Sequence, residues 1–178
     1  MKDLMLDLET FGKGNNAVIV QFGACYFDRG TGEIGDFLKI NIDVETSLRE
    51  GFEVDGSTLY WWLQQSEEAR TSILTKPRIP VRDAIIEANN FMSKAEAIWS
   101  HVTFDYVKIM NHLERLDIKQ SFHYRAPRDL RMLVDLADMS SELSKRVRTG
   151  TFHDALDDCF FQVDYTVECL KRIKVNNK

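Results

Sequence analysis

The sequence predicts a mixed α/β fold, in which helices cover both faces of a β-sheet whose N-terminal strands are antiparallel. Three apolar segments with strand character follow one another in the first quarter of the chain, and helical periodicity with one further strand fills the rest. No linker, internal repeat or low-complexity segment divides the 178 residues. A chain of this length can bury roughly 70% of the surface that it exposes when unfolded. We therefore expect a single domain over residues 1–178.

The three N-terminal strands are predicted over residues 3–10, 17–29 and 34–42. The segment FGKGNN between the first two is predicted as a loop. The segment GTGE, which separates the second strand from the third, contains two glycines that permit a hairpin turn. Strands joined by so short a connection pair in the antiparallel sense.

Helices alternate with one strand in the remainder of the chain. Ser57 and Ser66 are predicted N-caps, because a serine hydroxyl can accept a hydrogen bond from an N–H group of the first turn. The segment EAIWS at 96–100 is predicted as a short strand, and a loop rich in Lys, Arg, Thr and Gly precedes the last helix. The predicted helices cover residues 58–65, 67–74, 81–94, 104–116, 128–138 and 153–171.

Composition is typical of a globular protein of the cytoplasm. Apolar residues make up 44% and charged residues 29%, and no apolar run approaches the ~20 residues of a membrane span. The N-terminal MKDLML is not a signal peptide, and the three cysteines form no CxxC motif, which indicates reduced thiols. The net charge of −5 argues against a nucleic-acid partner unless several of the acids bind cations.

Two carboxylates lie on the first predicted strand, in the segment MLDLET. Asp7 and Glu9 are two residues apart and therefore share one face of the strand. A first strand this apolar is typical of the centre of a sheet, where an unpaired carboxylate is costly to bury. The pair therefore requires a positive partner, protonation or a metal ion.

Three further residues are candidates to join this pair. Asp105 directly follows the strand EAIWS, close to the start of a helix. His153 and Asp158 lie five residues apart at the start of the last helix, a little more than one turn. Each feature alone is typical of an ordinary solvated helix start, where acids are favoured by the helix dipole. Their combination in one α/β domain favours a common site.

The segments DLET, FD and HDALDD together resemble the three motifs of the DEDD superfamily of 3′–5′ exonucleases, in its histidine-bearing (DEDDh) variant. The segments STLYWWLQQSEEAR and RAPRDLRMLVDLA are similar to a subgroup of small stand-alone exoribonucleases from bacteria and phages. The resemblance implies a ribonuclease-H-like fold and hydrolysis of RNA or DNA from the 3′ end, with release of nucleoside monophosphates. One position departs from the pattern, because His101 stands where many relatives have Asn.

The resemblance also implies a role for each motif residue. His153 becomes the general base, and an imidazole with a pKa of about 6.5 is suited to that role near neutral pH. Two Mg²⁺ or Mn²⁺ ions, about 3.5–4 Å apart, would bind the attacking and leaving oxygens of the phosphodiester. Asp7 would bridge the ions, and Asp105 would serve the second ion through water. The implied metal ligands are Asp7, Glu9, Asp105 and Asp158.

Substrate contacts are predicted on both sides of these motifs. Adjacent residues on a helix point about 100° apart, so one of Trp61 and Trp62 should be buried while the other, Trp61, stacks on the 3′-terminal base. The basic segment SKRVRTGTFH leads directly to His153 and is predicted to contact backbone phosphates. The predicted substrate-binding residues are Thr10, Phe11, Trp61, Lys145, Arg146 and Arg148.

Several alternatives remain open at this point. A catalytically idle ribonuclease-H-like domain would bind nucleic acid without cutting it, and a metal-dependent endonuclease on the same fold would cut inside strands. The sequence does not distinguish RNA from DNA, and a chain this small can form a homodimer that completes a substrate groove. The remaining histidines are scattered without the spacing of a transition-metal site, so no ligand role is assigned to His101, His112 or His123.

Overall fold

A five-stranded mixed sheet forms the centre of the molecule in the computed structural model, which describes residues 1–176. The strand order is β3-β2-β1-β4-β5. β1, β2 and β3 pair in the antiparallel sense, whereas β4 and β5 run parallel to β1. The strands are β1 (Asp3–Thr10), β2 (Ile19–Phe27), β3 (Ile34–Asn41), β4 (Ala97–Ser100) and β5 (Pro127–Asp129).

Helices cover both faces of this sheet, which confirms the predicted fold class. Leu4, Leu6 and Leu8 of β1 belong to one apolar cluster, and Met5, which points to the opposite face, belongs to a second. Asp7 therefore faces the side covered by the last helix. The helices are α1 (Val44–Arg49), α2 (Gly56–Leu63), α3 (Glu67–Leu74), α4 (Val81–Met92), α5 (Asp105–Arg115), α6 (Leu130–Leu136), α7 (Ser140–Leu143) and α8 (Ala155–Asn176).

Some element boundaries differ from the sequence prediction for local reasons. Ser66 caps α3 as predicted, but Asp55 rather than Ser57 caps α2, and its carboxylate accepts a hydrogen bond from the Ser57 N–H at 2.9 Å. The helix predicted over 128–138 begins only at Leu130, because the preceding residues pair with β4 as the short strand β5. The two short helices α1 and α7 were not predicted.

No helix within residues 1–176 is long and apolar enough to cross a bilayer. The three cysteines are free and buried, as their spacing indicates.

His112 is a buried histidine whose protonation should destabilise the fold. Its ring stacks on Phe52 with centroids 3.8 Å apart, and its Nδ1 lies 2.8 Å from the Lys108 carbonyl oxygen. Burial lowers the pKa of His112 from 6.5 to about 4. Between pH 6.5 and about 4 the unfolded chain therefore binds more protons than the folded chain. The free energy of unfolding falls as the pH decreases through this range.

We expect His112→Phe to remove this pH dependence. As the pH falls from neutral to about 4, protonation of His112 should lower the free energy of unfolding of the parent by about 2–3 kcal/mol. The variant has no imidazole at this position and should not show this decrease. Urea unfolding at several pH values measures the difference between the two proteins. The control is His123→Phe, which makes the same substitution at a histidine that is exposed. Parallel curves for parent and His112→Phe would contradict the prediction.

Candidate active site

Four carboxylates from three elements converge at one edge of the sheet. β1 and β4 are parallel, so the end of β1 and the segment after β4 meet there, and the start of α8 packs against them. Asp7 and Glu9 come from β1, Asp105 begins α5, and Asp158 lies in the first turn of α8. Potential ligand atoms lie within 4.8 Å of one another in two groups, Asp7–His101–Asp105 and Glu9–His153–Asp158.

Asp7 and Glu9 are both buried, with exposed fractions of 7% and 8%. Asp7 Oδ1 accepts a hydrogen bond of 2.7 Å from Gln162 Nε2. Burial raises the pKa of Asp7 to about 7, and burial together with the charge of Asp7 raises the pKa of Glu9 well above its usual value. The charge of Arg148 opposes these shifts, but burial outweighs it for both carboxylates.

Asp105 faces this pair from the first turn of α5. Its Oδ2 accepts a hydrogen bond of 2.9 Å from the His101 N–H and lies 3.9 Å from His101 Nδ1. Burial, followed by the charge of Asp7, raises the pKa of Asp105 well above its usual value. The ring of His101, to which the sequence assigned no ligand role, lies beside two of the predicted metal ligands, Asp7 and Asp105.

Asp158 is paired with an arginine from the loop before α8. Arg148 forms an ion pair with Asp158, and both side chains are mostly buried. The guanidinium lies over the rings of Phe152 and Phe161, 4.6 and 5.1 Å from their centroids. These contacts hold a positive charge beside the acidic cluster.

His153 lies immediately before α8 rather than within it, in contrast to the predicted helix start. Its backbone is left-handed, with a φ of 61°, and its Nδ1 lies 4.0 Å from Glu9 Oε1. Its ring meets the edge of Trp61 with centroids 4.8 Å apart. Burial and the nearby Arg148 lower the pKa of His153, so its imidazole is neutral at neutral pH and able to accept a proton.

A groove beside Glu9 is bounded by the two tryptophans of α2. Trp62 is buried, and its Nε1 donates a hydrogen bond of 2.9 Å to the Thr10 carbonyl, whereas Trp61 is 41% exposed. One tryptophan is thus in the core and the other is accessible, as the helical spacing predicts. Thr10 lines the groove, but Phe11 packs behind it against the edge of Trp62, with ring centroids 6.4 Å apart.

The donor set of the cluster fits a hard divalent cation. Four carboxylates offer oxygen ligands, and three of them have pKa values raised by burial. Such groups gain their ionised form when a positive charge binds between them. Mg²⁺ and Mn²⁺ prefer oxygen ligands, whereas the thiols of this chain are buried and contribute to neither ligand group.

Comparison with known families identifies this arrangement. Residues 2–170 match the family model of the 3′–5′ exoribonuclease Rv2179c-like domain. The chain belongs to this family. The predicted resemblance to 3′–5′ exonucleases is thereby confirmed, and the Rv2179c-like domain spans nearly the whole chain.

One curated relative and two solved structures are also similar to this Rv2179c-like domain. An exodeoxyribonuclease of Enterobacteria phage T4 is 25% identical over 136 residues, which are 66% of this chain, and the chain spans only 59% of the phage protein. The nuclease domain of 3′hExo, a DEDDh family member bound to rAMP, has a TM-score of 0.58 at 15% identity, covering 95% of this chain and 91% of that one. E. coli exonuclease I in complex with a 5cy-dA13 oligonucleotide has a TM-score of 0.61 at 14% identity, covering 97% and 40%. These structures confirm the predicted ribonuclease-H-like fold.

The basic loop of the Rv2179c-like domain contributes to the site unevenly. Arg148 enters the acidic cluster, but Arg146 forms ion pairs with Asp164 and Glu168 of α8 at 2.8 and 2.7 Å. Lys145 is exposed. The structure therefore brings one of the three predicted basic residues to the metal-ligand candidates and directs a second to the flank of α8.

Two polar residues of the site were not predicted. Gln162 donates to Asp7 from α8, and the sequence signal was its position four residues after Asp158, on the same helical face. Arg131 lines the same pocket, where its Nη1 lies 3.3 Å from Thr103 Oγ1. Arg131 lies on α6, so its place in the pocket depends on how this helix packs.

Proposed function

We propose that this Rv2179c-like domain is a 3′–5′ exonuclease that uses two Mg²⁺ or Mn²⁺ ions and releases nucleoside monophosphates from the 3′ end of RNA or DNA. The observation that carries the proposal is the cluster of four carboxylates with the imidazole of His153 at its rim, 4.0 Å from Glu9. Structural carboxylates have paired charges, whereas three of these have raised pKa values. Such an arrangement is typical of a metal-dependent phosphodiesterase.

Each residue of the cluster has a distinct part in the proposed reaction. Asp7, Glu9, Asp105 and Asp158 would hold the ions. When bound, the ions would lower the pKa of the attacking water and neutralise charge on the phosphate. His153 accepts the proton of that water, and Trp61 keeps its imidazole at the rim by edge-on contact.

The groove beside Glu9 suits the 3′-terminal nucleotide. Trp61 presents an exposed aromatic face on which a base can stack, and stacking contributes ~1–3 kcal/mol per base. Thr10 forms part of the groove wall, and Phe11 supports that wall by packing against Trp62. Stacking depends on neither the identity of the base nor the presence of a 2′-hydroxyl group, so the proposal includes both RNA and DNA as substrates.

Digestion of 5′-labelled RNA and DNA oligomers with Mg²⁺ or Mn²⁺ tests the proposed function. We expect a ladder of products that shorten by one nucleotide at a time from the 3′ end, and no reaction in EDTA. A blocked 3′ terminus should prevent the reaction. A metal-dependent endonuclease would instead cut the blocked oligomer internally, and an idle binding module would leave the unblocked oligomer intact as well and bind no Mn²⁺.

Phosphate contact by the basic loop is expected to come from Arg148 rather than Arg146. Each lost contact to a single strand should reduce the slope of log K against log salt by roughly 0.7. We expect Arg148→Gln to flatten the slope by that amount for all sequences. Arg146 is the matched control from the same loop, because its ion pairs with Asp164 and Glu168 hold it away from the site.

Fluorescence anisotropy with Asp7→Asn as the common background measures this binding without cleavage. Lys145→Gln adds a second exposed basic position of the loop. If Arg148→Gln and Lys145→Gln both keep the parental slope of log K against log salt, the loop makes no phosphate contact through these residues and only connects α7 to α8. Arg148→Gln should also bind Mn²⁺ at least as tightly as the parent, because it releases the carboxylate of Asp158 from its ion pair.

A further inference from the structure

The backbone at His153 is held in a conformation that side-chain-bearing residues seldom adopt. Its φ of 61° lies in the left-handed region, which disfavours residues with a Cβ. The imidazole reaches Glu9 and Trp61 only because the chain turns at this point, directly before α8 begins at Ala155. Such strain persists where surrounding contacts determine the conformation.

Asp154, the next residue, directly precedes α8 and is almost fully buried. Its Oδ1 accepts hydrogen bonds from the N–H groups of Leu156 and Asp157, at 3.1 and 3.2 Å. Its carbonyl oxygen accepts from the Asp158 N–H at 2.8 Å, the first bond of the helix. Asp154 is therefore the N-cap of the helix that carries the metal-ligand candidate Asp158.

The second carboxylate oxygen of Asp154 accepts hydrogen bonds from two side chains on other elements. Lys39 Nζ of β3 and the Ser72 hydroxyl of α3 both donate to Asp154 Oδ2. Lys39 Nζ also donates to Ser72 Oγ at 3.2 Å, so the three groups form a closed triangle. An N-cap needs only one oxygen, so this triangle adds restraint beyond what capping requires.

β2 supports the same segment through two residues on one face of the strand. Gln21 Oε1 accepts from the Ala155 N–H at 2.7 Å, and Gln21 Nε2 donates to Ser72 Oγ at 3.0 Å. At Gly23, an added Cβ would overlap the backbone carbonyl of Ala155. The absence of a side chain at Gly23 thus lets the first turn of α8 lie directly on the sheet.

We infer that Asp154 is a positioning residue for His153, and that Lys39, Ser72 and Gln21 fix it from three separate elements. The expected effect on kcat rests on the proposed function, whereas the expected position of the His153 imidazole does not. Asp154 touches neither substrate nor metal in this role. Its hydrogen bonds fix the backbone directly after His153, so the left-handed turn places the imidazole beside Glu9 and Trp61.

The side-chain NMR signals of His153 test the inference independently of catalysis. The ring current of Trp61, 4.8 Å away, should displace the His153 ring resonances from those of an exposed histidine. The chain has four histidines, and His153→Gln assigns the signal. In the full chain without nucleic acid, Asp154→Ala should move the His153 resonances towards those of the exposed His123.

Lys39→Met provides a variant that keeps the N-cap and removes one corner of the triangle. It should also move the His153 resonances, by less than Asp154→Ala does. Asp154→Asn keeps an acceptor oxygen for the cap and should rescue part of the parental shift. Asp43→Ala is the matched control, since Asp43 caps α1 through the Thr46 N–H at 2.8 Å and has no contact with the site residues.

Kinetics give the second readout. Displacement of a reacting group by about 1 Å costs on the order of 10²-fold in rate, so we expect Asp154→Ala to lower kcat by that order with KM unchanged. The inference is overturned if Asp154→Ala folds and its His153 resonances have the parental chemical shifts. If Asp154→Ala does not fold, parental His153 shifts in Lys39→Met overturn it. A parent that degrades neither RNA nor DNA would overturn the proposed function alone, because the NMR comparison still decides the position of the imidazole.

Discussion

Asp7→Asn should abolish nuclease activity while leaving the fold intact. In the proposed reaction Asp7 would help to hold the metal ions, so the variant should lose stabilisation worth several kcal/mol, on the order of a thousandfold in rate or more. The amide retains an oxygen that can accept the hydrogen bond from Gln162 Nε2, which is 2.7 Å long in the parent. Turnover of labelled oligomers and calorimetric titration with Mn²⁺ measure the two losses.

Thermal stability separates a functional carboxylate from a structural one. Burial raises the pKa of Asp7 from 3.8 to about 7, so its ionised form destabilises the metal-free fold increasingly as the pH rises through this range. Replacing Asp7 with Asn removes a charge that repels Glu9 and Asp105. In EDTA at pH 8 the variant should therefore melt at the same temperature as the parent or higher.

Asp3→Asn is the matched control, because Asp3 is the other buried aspartate of β1. It accepts hydrogen bonds of 2.8 Å from Arg29 Nε and from Trp99 Nε1, so its charge is paired. We expect Asp3→Asn to lower the melting temperature and to leave turnover nearly unchanged. If Asp7→Asn instead melts several degrees below the parent, Asp7 is structural and the proposed site is wrong.

The acidic cluster was predictable from the sequence because its geometry follows from local rules. The alternation of side chains along a strand places Asp7 and Glu9 together, and a parallel pair of strands brings the segment after β4 to the same edge. The helical repeat then directs Gln162 to the same site as Asp158. The resemblance to the exonuclease motifs joined these local features into one site.

The remainder of the site depends on contacts between distant segments, which no local pattern encodes. Arg148 lies in an irregular loop between α7 and α8. Its ion pair with Asp158 therefore could not be derived from the spacing of residues in the sequence. The triangle of Lys39, Ser72 and Asp154 joins residues 33 to 115 positions apart. β5 was missed because three residues are too few to show a strand periodicity, and pairing with β4 creates it.

His153→Ala should retain metal binding and lose most turnover. Loss of a general base typically costs 10²–10⁴-fold in rate, and none of the four carboxylates proposed as ligands is changed. The reason to expect a base here is the neutral imidazole beside Glu9, whose pKa is lowered by burial and by Arg148. Single-turnover digestion at saturating Mn²⁺ measures the chemical step, and Mn²⁺ titration measures the site that remains.

The pH dependence and a second substitution distinguish loss of the base from a backbone effect. Because the pKa of His153 is lowered from 6.5, parental kcat should stay high to below that pH and then fall, and this acidic limb should vanish in His153→Ala. His153→Asn tolerates the left-handed backbone at φ 61° and should lose as much activity as His153→Ala. The exposed His123→Ala is expected to match the parent. Retention of more than about a tenth of parental turnover by either His153 variant, against the 10²-fold minimum expected for a general base, would remove His153 from the reaction.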